Sequence, residues 1–195
     1  MTRRFKLFDS HLDFAHQLCR DLVSKGDTVI DATCGNGHDT LILAKLALDE
    51  EKGSLLAIDL QEEAIHHSQE RLRTEISAAL YNRIHWQQGS HAIFPTDFRE
   101  VSLIVYNLGY LPGGDKSQTT QTETTLSSVQ QALLLLKEGG AIIITCYPGH
   151  AEGEKEEKAL LDYLKTLPPD QWSISHHQWI NRKKSPSLIF LQKEK

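Results

Sequence analysis

The stretch Thr28-Val-Ile-Asp-Ala-Thr-Cys-Gly-Asn-Gly-His-Asp-Thr40 decides the fold. Its first four residues form a short apolar run of the kind that fills a buried strand. The turn Cys34-Gly-Asn-Gly37 then hands that strand to a helix with Leu41, Ala44 and Leu48 on one face. The same alternation repeats on either side. Upstream, Leu12, Ala15, Cys19 and Leu22 recur at helical spacing, with Asp9 or Ser10 to cap the start and Gly26 to end it. Downstream, strands are expected at Ser54 to Asp59, Ile84 to Gln87 (weak), Val101 to Tyr106 (strong) and Ala141 to Cys146. Helices are expected from Glu62 to about Leu80, from Thr125 to Lys137 with Gly139-Gly140 as the stop, and from Glu154 to Leu167 before Pro168-Pro169. Strands separated by helices imply a parallel sheet with right-handed crossovers. Trp172 to Ile180 and Ser187 to Gln192 break that pattern: no helix separates them, so they read as a closing antiparallel hairpin, with Trp172 and Trp179 as core anchors.

The expected architecture is therefore α/β, one domain over residues 1–195, with no linker and no internal repeat. With 21 Lys+Arg against 26 Asp+Glu, the net charge of -5 excludes a chain-wide cationic coat. Any nucleic acid must meet a local patch, and the candidates are Arg3, Arg4 and Lys6 at one end and Arg182, Lys183 and Lys184 in the hairpin loop. The alternative for each cluster is a solvated loop. No run approaches the roughly 20 apolar residues that span a bilayer, and no signal peptide is read, so a cytoplasmic protein without membrane contact is expected. Cys19, Cys34 and Cys146 are odd in number and form no CxxC pair. They read as free thiols in a reducing compartment, and no metal site is expected.

In doubly wound sheets, ligands bind outside the carboxyl ends of the strands. Gly35 and Gly37 permit the tight turn there, and Asp59, closing the second strand, can accept hydrogen bonds from a ribose diol. A dinucleotide fingerprint needs a third small residue where this chain has Thr40, so a nicotinamide oxidoreductase is disfavoured. Asp31 before the turn and Asp39 within it would repel a pyrophosphate at the helix N-terminus. They suit a ligand with a ribose and a cationic end but no phosphate, which describes S-adenosylmethionine. After the fourth strand, the Asn107 amide oxygen and the Leu108 carbonyl can fix the lone pair of a nucleophilic nitrogen. Gly109 clears space for that substrate, and Tyr110 offers a stacking face. Asp115 could balance a cationic amine and Lys116 a phosphate, or the two belong to a solvated turn. Tyr147 and His150 follow the fifth strand and are candidates for the substrate pocket. A protonated amine cannot attack, so deprotonation is expected through solvent, assisted at Asp115 or His150.

Three runs together, Asp31 to Thr40 with Asp59, Asn107-Leu-Gly-Tyr-Leu-Pro-Gly-Gly-Asp-Lys116 and Gly149-His-Ala-Glu-Gly-Glu-Lys-Glu156, carry a more specific signal. They resemble a Rossmann-like class I methyltransferase family, long labelled as rRNA methylases and now associated with tRNA wobble-uridine modification. The resemblance implies a seven-stranded, mostly parallel sheet with a C-terminal antiparallel hairpin. It implies an S-adenosylmethionine-dependent RNA N-methyltransferase, acting on the aminomethyl nitrogen of 5-aminomethyl-2-thiouridine in the tRNA anticodon stem-loop. It also implies that Asn36, His38, Asp59, Gln61, Ser90 and His91 surround the cofactor, and Asn107-Leu-Gly-Tyr110 resembles the tetrapeptide of amino-group methyltransferases. Two departures stand out: His38 occupies a place where a small polar residue is expected, and Gln88-Gly-Ser-His91 lacks the acid many class I enzymes place near the adenine amine. Two readings of His91 are open, a contact to the base and a surface histidine. An rRNA or small-molecule methyltransferase of the same fold is the alternative function, a binding module without turnover is a third, and either a monomer or a homodimer is expected.

Overall fold

The computed structural model describes residues 10–109 and 120–195. The order of elements is α1 (His11–Leu22), β1 (Thr28–Asp31), α2 (His38–Ala47), β2 (Ser54–Asp59), α3 (Glu62–Glu75), α4 (Ala78–Tyr81), β3 (Ile84–Gln88), β4 (Val101–Asn107), α5 (Thr122–Leu135), β5 (Leu136–Cys146), α6 (Ala151–Leu164), β6 (Trp172–His177) and β7 (Ser187–Lys193). All seven strands join one sheet in the order β3-β2-β1-β4-β5-β7-β6. The first five pair in parallel, and β7 is antiparallel to both β5 and β6. Chain order reverses between β1 and β4, and such a reversal opens a crevice at the carboxyl ends of the two strands.

Successive strand residues point to opposite faces, so each face has its own core. Val29, Leu55, Ala57, Leu103, Val105 and Ile143 pack with buried residues of α1, α2 and α3. Ile30, Leu56, Ile58, Ile104, Ile142 and Ile144 pack with those of α5 and α6. The near-continuous apolar runs of β4 and β5 follow from helices covering both faces.

Element boundaries differ from the periodicity reading in several places. The helix after Asp59 stops at Glu75; Ile76 turns extended, and the Ser77 hydroxyl accepts from Leu80 N to cap a separate turn. Helix α5 ends at Leu135, and β5 begins at once with Leu136 beside Val101, its register slipping before Leu103 meets Ala141. A Cβ on Gly140 would lie 2.7 Å from the Val101 carbonyl, so glycine is required by that close approach. Helix α6 starts at Ala151, three residues early, and β6 ends at His177 rather than Ile180. No helix among the described residues is long and apolar enough to cross a membrane.

Candidate active site

The turn after β1 is strapped to both neighbouring strands: Ala32 N donates to Val105 O at 2.9 Å and Cys34 N to Ile58 O at 2.8 Å. It is also locked against α3. Gly37 has φ 77°, and a Cβ there would lie 2.9 Å from Ser68, whose hydroxyl donates to Gly35 O at 2.8 Å. Arg71 Nε donates to Asn36 O at 2.7 Å, and a second guanidinium nitrogen lies 3.3 Å from His38 Nε2, so the exposed His38 ring is turned toward α3. Asp59 is tied to this turn. Its Oδ2 accepts from Gly35 N at 2.9 Å and its Oδ1 from Gln61 N at 3.0 Å, while burial holds the carboxyl above its ordinary range. Each oxygen keeps acceptor capacity for a hydroxyl pair.

Asp31, expected at the cofactor, lies beneath the turn. Only 1% exposed, it accepts from Thr40 Oγ1 at 2.6 Å and Thr33 N at 3.2 Å. Burial and the nearby Asp39 push it well above the usual carboxylate range. Asp31 braces the turn from within, which leaves Asp39 as the carboxylate of the pair toward the end of β4.

That end is held from several directions. Asn107 N donates to Thr33 Oγ1 at 2.7 Å, and its carboxamide nitrogen lies 3.3 Å from Asp39 Oδ2. The other Asp39 oxygen is 2.7 Å from His16 Nε2, on α1. Leu108 is buried and bonds to Thr145 O through its amide. Gly109, at φ 113°, exchanges two hydrogen bonds with Thr120, whose hydroxyl donates to Glu156 at 2.9 Å; Thr125 donates to the other Glu156 oxygen at 2.6 Å. Glu156, in the acid-rich stretch that opens α6, is buried and anchors the loop stem. Tyr147 packs over Gly109, its hydroxyl 3.1 Å from His11 Nε2 and within bonding reach of the Asn107 carboxamide. Burial pushes that phenol up to about 12. His150 caps α6, its Nδ1 accepting from Gly153 N at 3.1 Å, so this nitrogen is engaged as a cap and not poised as a base. Tyr110, Asp115 and Lys116 lie outside the described residues, as do Arg3, Arg4 and Lys6. The thiols are all buried, and Cys19 is pushed up to about 12, far from a nucleophile's range.

Beyond β3, Gly89 N donates to Asp59 O, and Ser90 Oγ accepts from Ala92 N. His91 is no surface histidine. Its ring meets the Tyr106 ring edge-on at 5.9 Å, Ser128 Oγ donates to its carbonyl at 2.6 Å, and its buried Nδ1 has no hydrogen-bond partner among the described residues. Asp59, whose two oxygens keep acceptor capacity at the carboxyl end of β2, and the Gly35-Asn-Gly37 turn tied to it suit the ribose and methionyl ends of S-adenosylmethionine. Burial pulls His91 down to about 4. Between that value and about 6.5, the unfolded chain binds a proton that the folded chain refuses, so this contribution is full above pH 6.5 and is lost on acidification. His91 alone is therefore expected to cost about 2 kcal/mol of stability on going from pH 7 to pH 5. Urea unfolding at both pH values checks this, with His91→Gln flattening the difference.

Comparison with known proteins shows the family. A family model described as "Putative rRNA methylase" matches residues 55–193. A tRNA (mnm(5)s(2)U34)-methyltransferase, chloroplastic, of Arabidopsis thaliana is 37% identical over 190 residues, covering 93% of this chain and 68% of that protein. Among solved structures, an rRNA-methylase chain from Clostridium thermocellum aligns with a TM-score of 0.87 and 31% identity, over 98% of this chain and all of that one. A Streptococcus mutans methyltransferase chain in complex with SAH aligns at 0.79 and 26%, over 99% of each. On this family match and these relatives, the chain belongs to the rRNA methylase family and is an S-adenosylmethionine-dependent methyltransferase.

Proposed function

We propose that the protein methylates the aminomethyl nitrogen of 5-aminomethyl-2-thiouridine at the tRNA wobble position. The observation that carries the reading is the Asn107 carboxamide, which the Asp39 carboxylate polarises at the carboxyl end of β4. A carboxylate only accepts, so the atom 3.3 Å from it is the amide nitrogen, and Oδ1 is the accepting end. An acceptor amine donating N–H to Oδ1 has its lone pair held in one direction. Asp39 also offers a negative charge to an amine that arrives protonated. S-adenosylmethionine supplies the electrophilic methyl on sulfonium when bound. Asp59 would hold its ribose with Gln61 beside it, the Gly35-Asn-Gly37 turn would lie along the methionyl end while His38 turns to Arg71, and Ser90 with His91 would border the base. The relative's name supports tRNA as substrate. Three free cysteines are consistent with a reducing, cytoplasmic setting.

The test incubates the protein and methyl-labelled donor with tRNA carrying 5-aminomethyl-2-thiouridine, then digests the RNA for nucleoside mass spectrometry. The expected product is the methylaminomethyl nucleoside at the wobble position. An unlabelled wobble nucleoside, or label at another position of the tRNA, would overturn the reading.

A further inference from the structure

We propose that the pocket between the β6–β7 connection and the start of α6 is the RNA-docking site, taking a nucleotide next to the acceptor on Trp179 and its phosphate on Arg182 and Lys184; this rests on the reading of the acceptor as RNA. The connection hangs from the edge of the sheet that carries the chemistry. His177 pairs with Leu188 and Ser187 with Cys146, the last residue of β5, so residues 178–186 project beyond the carboxyl end of β5. Asn107 pairs with Thr145 one strand over, and Tyr147 and Pro148 continue from β5. The pocket, of about 210 Å³, is walled by Pro148, Trp179, Arg182, Lys184 and Ser185, with Glu154 and Glu157 on the α6 side.

Three features point to RNA. The sequence pattern marked Trp179 as a core anchor, but β6 stops before it, and the half-exposed ring carries the Arg182 guanidinium 4.1 Å from its centroid. A guanidinium on an indole is a planar, cationic platform, suited to a splayed base with its phosphate. Arg182, Lys183 and Lys184 are all exposed in a chain of net charge -5, so the positive potential is local to this rim. Lys184 also sits at φ 56°, where glycine or asparagine costs less, and its carbonyl lies 3.8 Å from where a Gly149 Cβ would be, which holds the loop against the segment after β5. Of the two opposing acids, Glu157 is engaged with His176 and the Ser187 hydroxyl. Glu154 is exposed and is the charge a phosphate would meet.

The test measures anisotropy of a labelled anticodon stem-loop, and methylation of full-length tRNA, over a range of salt. The variants are Arg182→Gln/Lys183→Gln/Lys184→Gln and, separately, Trp179→Ala. The triple variant is expected to flatten the slope of log K against log salt by about 1.5 to 2, in line with the lost phosphate contacts of Arg182 and Lys184, and to raise the KM for tRNA while kcat at saturation and donor affinity hold. Trp179→Ala is expected to weaken binding about tenfold with the slope unchanged. Equal circular-dichroism melting of all proteins separates docking from misfolding. Wild-type-like KM and slope in the triple variant, with the wild type methylating tRNA, would overturn the docking site and leave the acceptor reading intact. Patch-dependent binding without methylation would overturn the acceptor reading and leave the docking site intact.

Discussion

Asn107→Ala is expected to bind the donor as wild type does and to lose turnover by a factor of about 10² to 10³, the scale of a misaligned acceptor or a missing oriented dipole. The substitution leaves the backbone contacts in place: Asn107 N still donates to Thr33 Oγ1, and the β4–β5 pairing with Thr145 is untouched. Stability should therefore barely change. What disappears is the carboxamide whose nitrogen is held by Asp39 and whose oxygen is thereby aimed as an acceptor. Asn107→Asp is a sharper control, because it keeps the shape but sets a second carboxylate about 3.3 Å from Asp39. Two like charges at that distance cannot both remain ionised, so one takes a proton and the polarity of the site inverts. Single-turnover rates with tRNA, alongside calorimetry with the donor, read the two effects separately. An Ala variant that kept turnover near wild type would remove Asn107 from catalysis.

How much of this was legible beforehand depends on sequence separation. Strand periodicity, the turn glycines and the acid closing β2 are local signals, and the parallel sheet, the hairpin and the strand ends that carry Asp59 and Asn107 all followed from them. Boundaries set by a side-chain cap were not legible, because Ser77 ends one helix and starts another without disturbing the apolar pattern around it. Nor were the partners of the strand ends. His16 reaches Asp39 from α1, His11 reaches Tyr147 across 136 residues, and Glu156 meets Thr120 and Thr125 only because α6 packs on α5. Glu156 shows the limit well: just after an acid-rich first turn it looks like its solvated neighbours, and only the helix phase relative to the core, set by Gly153 packing under the Tyr147 carbonyl, buries it. Trp179 failed in the opposite direction. An indole in a β-rich run reads as core, but the strand ended two residues earlier and left the ring to Arg182.

Asp59→Ala is expected to weaken donor binding by about 10² or more, since a carboxylate gripping two hydroxyls makes two charge-assisted bonds of about 1.5–3 kcal/mol each and every 1.4 kcal/mol is tenfold. The loss would not come from collapse of the fold. Removing the carboxylate orphans Gly35 N and Gln61 N, which costs roughly 1–3 kcal/mol for a buried donor, but it also relieves the burial that holds this acid above its ordinary range. Asp59→Asn divides the two roles. Its amide oxygen can accept from only one of Gly35 and Gln61, and its NH₂ faces the other donor, so the turn loosens on one side and affinity should fall to an intermediate value. Calorimetric Kd for the donor at pH 7.5 is the readout, with NAD as the ligand that should not bind any of the proteins. Turnover at saturating donor then separates this residue from Asn107. A ribose grip acts on affinity and is recovered by concentration, whereas an acceptor-orienting amide acts on kcat and is not. If Asp59→Ala bound the donor as tightly as wild type, the carboxylate would be serving the turn alone, and the crevice at the carboxyl end of β1 would have to hold the sugar by other means.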